Sequence, residues 1–369
     1  MKKIKILILS TYLIIINFIM LTTQLVQTIN ASESELNIQD MVGRNIKINT
    51  NSGLPKRIIC LSPGTLRLIT YLQANNTVVG VEGLEKKSSK GRPYWIADNF
   101  MKDLPVVAPG GPSSINNIPD PEKILNTKPD LIFISNMDKN NADQFQKRIG
   151  IPIVVLSYGR FASFDEVIFK SLELAGKILN KNQRAQEVIK FIKGHEEVLK
   201  QRTKNIKELP SAYIGGLGLK GGHGIESSDA SYIPFEWLNV NNVAKQIKPE
   251  GHLFVNKEKL LVLNPKYIFI DGGGMDVFTS DYKRKKVFYQ QLDAFKNKRV
   301  FTLFPFNWYT TNVDSMIIDA YAIGKILYPD RFKDININEV AKDVYQSLVG
   351  KDVFNEMEKD YGKILNTIF

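Results

Sequence analysis

The chain has 369 residues, with 49 Lys and Arg against 38 Asp and Glu, and a formal net charge of +11. Hydrophobic residues make up 43% and charged residues 24%, which is ordinary for a globular protein and excludes a disordered chain and a polytopic membrane protein. The length suggests two domains or one bilobed unit. The single cysteine excludes a disulfide framework and a Cys-rich metal site. Three histidines leave little room for a His-rich metal site.

The first 31 residues have the pattern of a secretory signal peptide. Three lysines lie among the first five residues, residues 6–21 are mostly apolar, and small and polar residues follow as far as Ala31. We therefore expect residues 1–31 to direct secretion across the inner membrane to the periplasmic or extracytoplasmic side. An uncleaved membrane anchor is the alternative. No cysteine lies near the cleavage site, so a lipoprotein is not expected.

Short β-type runs alternate with helical patterns along most of the chain, which predicts an α/β fold with parallel strands. The predicted strands cover residues 58–61, 78–81, 131–135, 153–156, 213–216, 267–270 and 300–303. Each is followed by a turn or loop rich in Gly, Pro, Ser or Asp. Ligands bind outside the carboxyl ends of strands in open α/β sheets, so these loops are where we expect a site.

A long helical stretch separates the two halves. Residues 164–179 are amphipathic, and apolar residues continue at helical spacing from residue 183 to about residue 208. We predict an N-terminal lobe at 36–164, linking helices at 165–208, and a C-terminal lobe with C-terminal helices at 209–369. A helical strut has no soft hinge, so the lobes should move little when a ligand binds. A long surface helix of one domain is the alternative.

An internal repeat supports two lobes of the same design. The segments 122–134 and 258–270 have Glu, Lys, Leu, Pro, Ile, Phe and Ile in register. Each reads as a short helix that begins near an acidic residue, is followed by proline, and leads into a buried strand. The repeat places Glu122 and Glu258 at equivalent points of the two lobes. Chance similarity of two helix–Pro–strand units is the alternative.

Several motifs occur together in one order along the chain. They are Asp-Met-Val-Gly-Arg at 40–44, Pro-Lys-Arg-Ile-Ile-Cys-Leu-Ser-Pro-Gly at 55–64, Val-Val-Gly-Val at 78–81, the repeat segments beginning at 121 and 258, and Phe-Lys-Asn-Lys-Arg-Val-Phe at 295–301. Over residues 38–330 the chain resembles the periplasmic ABC-importer substrate-binding proteins of the iron-siderophore, haem and cobalamin class. It departs from them in a longer segment at 83–104 and in running on to residue 369.

The resemblance implies two Rossmann-like lobes joined by a single long backbone helix, the helical-backbone type of periplasmic binding protein. It implies capture of a metal chelate, such as an iron-siderophore, haem or cobalamin, and delivery to an ABC importer permease by a monomer with no intrinsic cofactor. Glu122 and Glu258 match the family's two transporter-docking glutamates, which pair with permease arginines. The alternative is that both only stabilise a helix N-terminus.

His223 is a candidate ligand-binding residue. It lies in a glycine-rich segment, 215–226, where the backbone can approach a ligand closely. Neutral imidazole is a common metal ligand, and Glu226 could ligate or orient it. His223 is therefore also a candidate metal ligand. The alternative is a loop histidine that caps a turn.

Aromatic residues form the second candidate set. Trp308 and Tyr309 follow a predicted C-lobe strand, where the family commonly lines its cleft, and could stack on a macrocycle. Tyr309 could also bind iron as a phenolate. Tyr94 and Trp95 could face them from the other lobe, with local packing as the alternative.

Loops of the N-terminal lobe complete the predicted walls. Ser62 and Pro63 precede a helix whose free N–H groups could hold an anionic group. Gly110 and Gly111 lie in a second glycine-containing loop.

Two other functions are alternatives to ligand binding. An exported chelatase-like enzyme could insert metal into a tetrapyrrole with His223 as metal ligand and Glu226 as base, but it would not need paired docking glutamates. A nucleic-acid partner is not expected, because the densest basic run, 283–286, has no interleaved aromatic residues. The function expected from the sequence is therefore binding, without enzymatic activity.

Overall fold

The computed structural model describes residues 35–87, 90–98, 100–160 and 164–368. The predicted signal peptide lies outside these residues. Within them, no helix combines the length and the apolar character that crossing a membrane requires.

The N-terminal lobe contains a hairpin and a parallel sheet. The strand bounds are β1 Glu35–Gln39, β2 Asn45–Asn49, β3 Ile58–Leu61, β4 Val78–Glu82, β5 Val106–Ala108, β6 Leu131–Ser135 and β7 Ile153–Leu156. The five parallel strands stand in the order β5-β4-β3-β6-β7. Because β3, β6 and β7 are buried along their whole length, they read as continuous apolar runs in the sequence.

Five helices surround this sheet, and their bounds are α1 Thr65–Tyr71, α2 Gly83–Lys87, α3 Pro93–Ala97, α4 Pro121–Asn126 and α5 Lys139–Ile149. Helix α5 shows how the sequence sets them. The Asp138 carboxylate accepts a hydrogen bond from the Asn141 N–H at 2.9 Å and caps its start. Gly150, at φ 71°, ends it in the left-handed conformation. The side of α5 that carries Phe145 is buried against the sheet.

The Asp-Met-Val-Gly-Arg motif fastens the β1–β2 hairpin to the edge of the sheet. The Arg44 guanidinium donates to the Asp40 carboxylate and to the carbonyl oxygen of Ile153, each at 3.0 Å. Arg44 and Asp40 are both buried, so this ion pair is shielded from solvent. The motif is therefore structural.

Two helices, α6 Val167–Ile178 and α7 Asn182–Thr203, connect the lobes. Helix α7 has 22 residues, which corresponds to about 33 Å. Near its start, Arg184 donates to the Tyr71 carbonyl oxygen of the N-terminal lobe at 2.9 Å. The chain then enters the C-terminal sheet. The helix ends at Thr203, a little earlier than the helical pattern suggested.

The C-terminal lobe contains a four-stranded parallel sheet and a separate antiparallel pair. The bounds are β8 Ser211–Gly215, β9 Ser227–Asp229, β10 Asn241–Asn242, β11 His252–Phe254, β12 Tyr267–Asp271 and β13 Val300–Leu303. The sheet order is β10-β8-β12-β13, and β9 pairs with β11. The helices of this lobe are α8 Ile233–Trp237, α9 Lys257–Leu263, α10 Met275–Arg284, α11 Lys286–Tyr289 and α12 Asp293–Lys296.

The repeat corresponds to one structural unit in each lobe. Helix α4 leads into β6, and helix α9 leads into β12, which in each case is an inner strand of its sheet. Both helices have an Asx cap, Asp120 and Asn256, whose side chains accept hydrogen bonds from the first turn. The matched sequence therefore encodes matched backbone.

The last three helices, α13 Val313–Leu327, α14 Ile337–Val349 and α15 Phe354–Tyr361, complete the fold. Helix α13 is buried on almost every side, and α14 packs against α1 and α3 of the N-terminal lobe. The C-terminal end thus reaches back across the molecule, and one hydrophobic core includes residues of both sheets. The predicted fold class, α/β with two lobes joined by a long helix, is confirmed.

Candidate functional site

A cavity of about 390 Å³ lies where the two lobes meet. Its N-lobe wall is formed by Pro63, Leu84, Pro112 and Ile115, and its C-lobe wall by Gly218, Lys220, Gly221, Gly222, Gly273, Asn307, Trp308, Tyr309 and Thr310. These residues follow β3, β4 and β5 in one lobe and β8, β12 and β13 in the other. The cavity therefore lies at the carboxyl ends of both sheets, where α/β folds bind ligands.

The loop that carries Trp308 and Tyr309 is held by a buried arginine of the opposite lobe. Tyr309 and Thr310 have φ values of 54° and 70°, which non-glycine residues adopt only when their surroundings hold them there. The fully buried Arg67, on α1, donates to the carbonyl oxygens of Trp308 at 2.7 Å and Thr311 at 2.9 Å. These contacts fix the loop conformation across the boundary between the lobes.

A second link between the lobes lies beside the cavity. The Tyr309 hydroxyl donates to the Glu82 carboxyl group at 2.5 Å and accepts from the Gly111 N–H at 3.0 Å. The other Glu82 oxygen accepts from the Ser62 N–H at 3.0 Å. Burial raises the pKa of Glu82 to about 7, against the lowering effect of its hydrogen bonds from Tyr309 and Ser62. Burial also raises the pKa of Tyr309, which keeps the phenol protonated as a donor.

Glu82 also borders a second cavity, of about 360 Å³, within the N-terminal lobe. Its polar lining comes from Ser62, Glu82, Ser113, Ser114, Asn117 and Asp120. The Tyr309–Glu82 hydrogen bond thus joins a residue that lines the inter-lobe cavity to one that lines the N-lobe cavity.

The Asp271 carboxyl group holds two loops of the C-lobe wall through backbone hydrogen bonds. One carboxyl oxygen accepts from the Gly273 N–H at 2.8 Å, and the other accepts from the Phe306 N–H at 2.7 Å. The first bond shapes the glycine turn after β12, and the second anchors the loop after β13. Burial raises the pKa of Asp271 to about 7.

His223 and Glu226 belong to the glycine-rich segment 215–226 but are not among the residues that line the inter-lobe cavity. The His223 Nε2 is 2.9 Å from the Leu219 carbonyl oxygen, and its ring stands edge-on to Phe254 with centroids 5.1 Å apart. The Glu226 carboxylate lies close to the backbone at Gly224. The contacts of the His223 ring are therefore with Leu219 of its own loop and with Phe254.

Tyr94 and Trp95 lie in helix α3 and are buried, with exposures of 0% and 3%. They are not among the residues that line the inter-lobe cavity. The Tyr94 hydroxyl lies 2.9 Å from the Glu85 carboxylate, and Glu85 also forms an ion pair with Arg92. The Arg92 guanidinium lies over both Trp95 and Trp308, 5.5 and 5.1 Å from the ring centroids. Arg92 of this N-lobe segment therefore packs on Trp308 of the C-lobe loop.

Of the other predicted residues, Pro63, Trp308 and Tyr309 line the inter-lobe cavity, Ser62 lines the N-lobe cavity, and Gly110 and Gly111 adjoin the Glu82–Tyr309 pair. Within the described ranges, no group of three or more His, Cys, Asp or Glu side chains is placed to hold a metal ion. The His223 ring contacts the Leu219 carbonyl oxygen, whereas the Tyr309 hydroxyl contacts Glu82. Among the described residues, no hydrogen bond or ring contact joins His223 to Tyr309.

Sequence reasoning missed Arg67, Glu82, Asp271 and Lys220. In the described part of the chain, Lys220 is the one charged side chain that lines the inter-lobe cavity. Lys220 lies inside the glycine-rich segment 215–226, which is a sequence signal for a residue near the ligand. Asp271 and Glu82 each end a strand, but their partners are distant in sequence.

The model of the periplasmic binding protein family matches residues 58–305, from β3 to the loop after β13. The chain belongs to the periplasmic binding protein family. The match includes both parallel sheets, the N-lobe wall of the cavity and the part of the C-lobe wall that precedes residue 306.

Relatives within this family are distant in sequence. The molybdate-binding protein MolA of Haemophilus influenzae is 22% identical over 84% of this chain and 89% of its own length. Its structure with molybdate aligns at a TM-score of 0.67 over 86% of this chain and 98% of that chain. A substrate-binding lipoprotein of a Bacillus subtilis ABC transporter, YvrC, is 24% identical over 76% and 82% of the two chains. The Helicobacter pylori CeuE complex with Ni-His aligns at 0.59, with 17% identity, over 89% and 100%. The structural matches support the fold, and the relatives' named ligands differ.

Glu122 and Glu258 lie on the surface of this periplasmic binding protein, away from the cavity. Each is exposed and is the second residue of its short helix, α4 or α9. No hydrogen bond or ion pair of either carboxylate is seen among the described residues. Both side chains are therefore available to a partner.

Proposed function

We propose that the protein is an extracytoplasmic solute-binding protein that captures a small metal-containing ligand between its lobes and delivers it to an ABC importer permease. The observation that carries the proposal is the inter-lobe cavity at the carboxyl ends of both sheets. Membership of the periplasmic binding protein family supports it. The links through Arg67 and Tyr309 further support small lobe movements on ligand binding.

The cavity favours a compact anionic ligand. At about 390 Å³ it is near the lower end of the range for small-molecule sites, roughly 300–1,000 Å³. Lys220 supplies positive charge, the glycine walls allow close backbone approach, and Trp308 and Tyr309 offer aromatic surface. Among metal chelates, we propose a small anionic iron chelate in preference to haem or cobalamin.

A metal oxyanion is the second candidate. It is favoured by the similarity to the molybdate-binding relative and by the absence, among described residues, of a side-chain cluster suited to bare metal. An oxyanion would be held by N–H groups and Lys220 without direct ligation of its metal.

Two measurements distinguish these candidates. Mass spectrometry and absorption spectra of the protein isolated with its native ligand would identify a chelate by its mass and metal band. Titration calorimetry with molybdate and with ferric citrate would follow, using sulfate as a control for nonspecific anion binding. A ligand-free protein that binds none of these anions would contradict a compact anionic ligand. Catalytic insertion of free metal into a tetrapyrrole by the protein would instead favour the chelatase-like enzyme.

We further propose that Glu122 and Glu258 dock the two lobes on the permease. Their equivalent positions and exposure support this role. Replacing both with Ala should leave ligand affinity unchanged and weaken permease binding roughly 10- to 100-fold, since close charge pairs across interfaces contribute about 1.5 kcal/mol or more. Binding of the variants to the permease in detergent, together with uptake, would measure the effect.

Glu339 offers a matched control, because it is also an exposed glutamate in the first turn of a helix, α14. Glu339→Ala should lose only the favourable interaction with the helix N-terminus, a few tenths of a kcal/mol to about 1. Equal permease binding by the parent and the Glu122→Ala/Glu258→Ala variant would exclude the docking role.

A further inference from the structure

One corner of the C-terminal lobe carries an unusual combination of side chains around Glu258. This C-lobe corner consists of helix α9, the end of α10 and helix α11. Lys283, Arg284, Lys285 and Lys286 are consecutive and all exposed. Together they form the densest basic run in the chain.

Two exposed aliphatic side chains lie on the same corner. Val262 on α9 and Val287 on α11 have exposures of 76% and 74%, the highest of any large hydrophobic side chain in the part of the chain that the structure describes. Val262 is four residues after Glu258, so the two share a face of α9. Val287 directly follows the basic run.

Contacts at both ends of α9 hold these elements together. The Lys257 Nζ is 2.8 Å from the Asp281 carboxylate, and the Tyr289 hydroxyl donates to the same group at 2.6 Å. At the other end, the Asn264 side chain accepts from the Asp293 N–H at 2.9 Å. The segment 281–293 therefore runs beside α9, and the basic run adjoins the surface that carries Glu258.

The corner has an excess of positive charge. Asp281 is shared among Lys257, Lys285 at 3.7 Å and Arg284 at 4.0 Å, so one carboxylate serves three cations. Lys283 and Lys286 add two more charges with no ion pair seen in the described residues. The positive field extends into solvent.

The matching N-lobe corner, around Glu122, has a different composition. Asp120, Glu122 and Asp130 stand there against Arg57, Lys123 and Lys128, so charges of both signs balance. Its exposed aliphatic residue, Leu125, is 44% exposed, well below Val262 and Val287. Of the two corners, the C-lobe corner is the one that combines a basic run with highly exposed aliphatic side chains.

We propose that the C-lobe corner contacts anionic lipid headgroups of the bilayer around the permease, with Val262 and Val287 entering the interface. The proposal rests on the proposed function, because docking through Glu258 would bring this corner to the membrane. Clustered Lys and Arg bind anionic lipid surfaces with about 1 kcal/mol per residue, and neighbouring apolar side chains add to this affinity.

Sedimentation of the secreted protein with vesicles tests the proposal without a permease. Vesicles of equal parts phosphatidylglycerol and phosphatidylcholine should bind the parent, and vesicles of phosphatidylcholine alone should not. The variant Lys283→Gln/Arg284→Gln/Lys285→Gln/Lys286→Gln should bind the anionic vesicles at least roughly 20-fold more weakly. The variant Val262→Ser/Val287→Ser should lose affinity by a smaller factor, about 3- to 10-fold.

The matched control is Lys123→Gln/Lys128→Gln/Lys139→Gln/Lys147→Gln, which removes the same charge from exposed positions of the N-terminal lobe. It should bind like the parent, and unfolding transitions should show that all variants are folded. Equal loss in both quadruple variants, or no binding of the parent to anionic vesicles, would overturn the proposal. Binding that needs permease in the vesicles and is lost in the Lys283–Lys286 variant would assign the corner to a protein partner instead.

Failure of the proposed function would have a different signature. It would leave lipid binding of the purified protein intact, while the Glu122→Ala/Glu258→Ala variant coupled to the permease like the parent.

Discussion

Each lobe places one buried carboxyl group at the carboxyl end of an inner strand, Glu82 as the last residue of β4 and Asp271 as the last residue of β12. Burial raises the pKa of both to about 7. Their partners differ. Asp271 accepts two backbone N–H groups of its own lobe, Gly273 and Phe306. Glu82 accepts one N–H group from its own lobe and the hydroxyl of Tyr309 from the other.

The difference separates two roles that the same chemistry can serve. Asp271 shapes one wall of the cavity, because its bonds define the two loops that form that wall. Glu82 links the walls to each other. Glu82 also borders the N-lobe cavity, so water can reach its surroundings, while Asp271 is fully buried and lines neither cavity.

The largest expected effect is the loss of the Asp271 carboxyl group. Asp271→Ala leaves the buried N–H group of Phe306 without an acceptor, which costs about 1–3 kcal/mol, and removes the hydrogen bond that shapes the turn at the exposed Gly273, which costs about 0.5–1.5 kcal/mol more. We expect the free energy of unfolding to fall by about 2–4 kcal/mol in urea denaturation at about pH 4, below the raised pKa values of both carboxyl groups. Glu82→Ala should cost less, about 1 kcal/mol, because water in the N-lobe cavity can replace the lost acceptor. Equal costs for the two variants would contradict the distinction drawn between these carboxyl groups.

A second prediction uses the pKa of Glu82. With a folded-state pKa of about 7 against an ordinary value of 4.5, the folded protein retains a proton that the unfolded chain releases. The stability contributed by this group is therefore present below pH 4.5 and is lost as the pH rises to about 7. Glu82→Gln cannot ionise. Relative to the parent, this variant should gain up to about 3 kcal/mol between pH 5 and pH 8.

Urea denaturation of both proteins at several pH values would measure this gain. Glu339→Gln is the control, because the exposed Glu339 should show no such gain. A pH-independent difference between the parent and Glu82→Gln would show that Glu82 is ionised in the folded protein throughout this range.

Local signals in the sequence were enough to predict the fold. The buried strands of both sheets are continuous apolar runs, and the repeat identified equivalent units that begin with Glu122 and Glu258. Pro63, Trp308 and Tyr309 line the inter-lobe cavity because they follow strands whose carboxyl ends meet there, and their role in ligand binding stays a prediction.

The missed contacts depend on pairs that only the folded chain brings together. Arg67 and the loop at 308–311 are more than 240 residues apart, and nothing local marks an arginine of α1 as their partner. Tyr94 and Trp95 show the converse difficulty. Aromatic residues near a turn suit a ligand wall as well as a buried support, and only packing distinguishes the two. His223 likewise satisfies its ring within its own loop.

The smallest expected effect concerns the charge difference between the two walls. Among the residues that the structure describes, the N-lobe wall of the inter-lobe cavity has no charged side chain, whereas the C-lobe wall has Lys220. Because Lys220 is exposed, its attraction for an anion is screened and should contribute about 1 kcal/mol or less. Lys220→Gln should therefore weaken binding of molybdate or ferric citrate, whichever the parent binds, by up to about 5-fold at low salt, and the difference should shrink as salt is added. Titration calorimetry at two ionic strengths would measure it, with the exposed Lys266→Gln as a control outside the cavity lining. A salt-independent loss would point to a direct hydrogen bond from the Lys220 ammonium group. Unchanged affinity at low salt would instead leave the backbone N–H groups of the glycine wall, which Asp271 holds in place, as the source of anion binding.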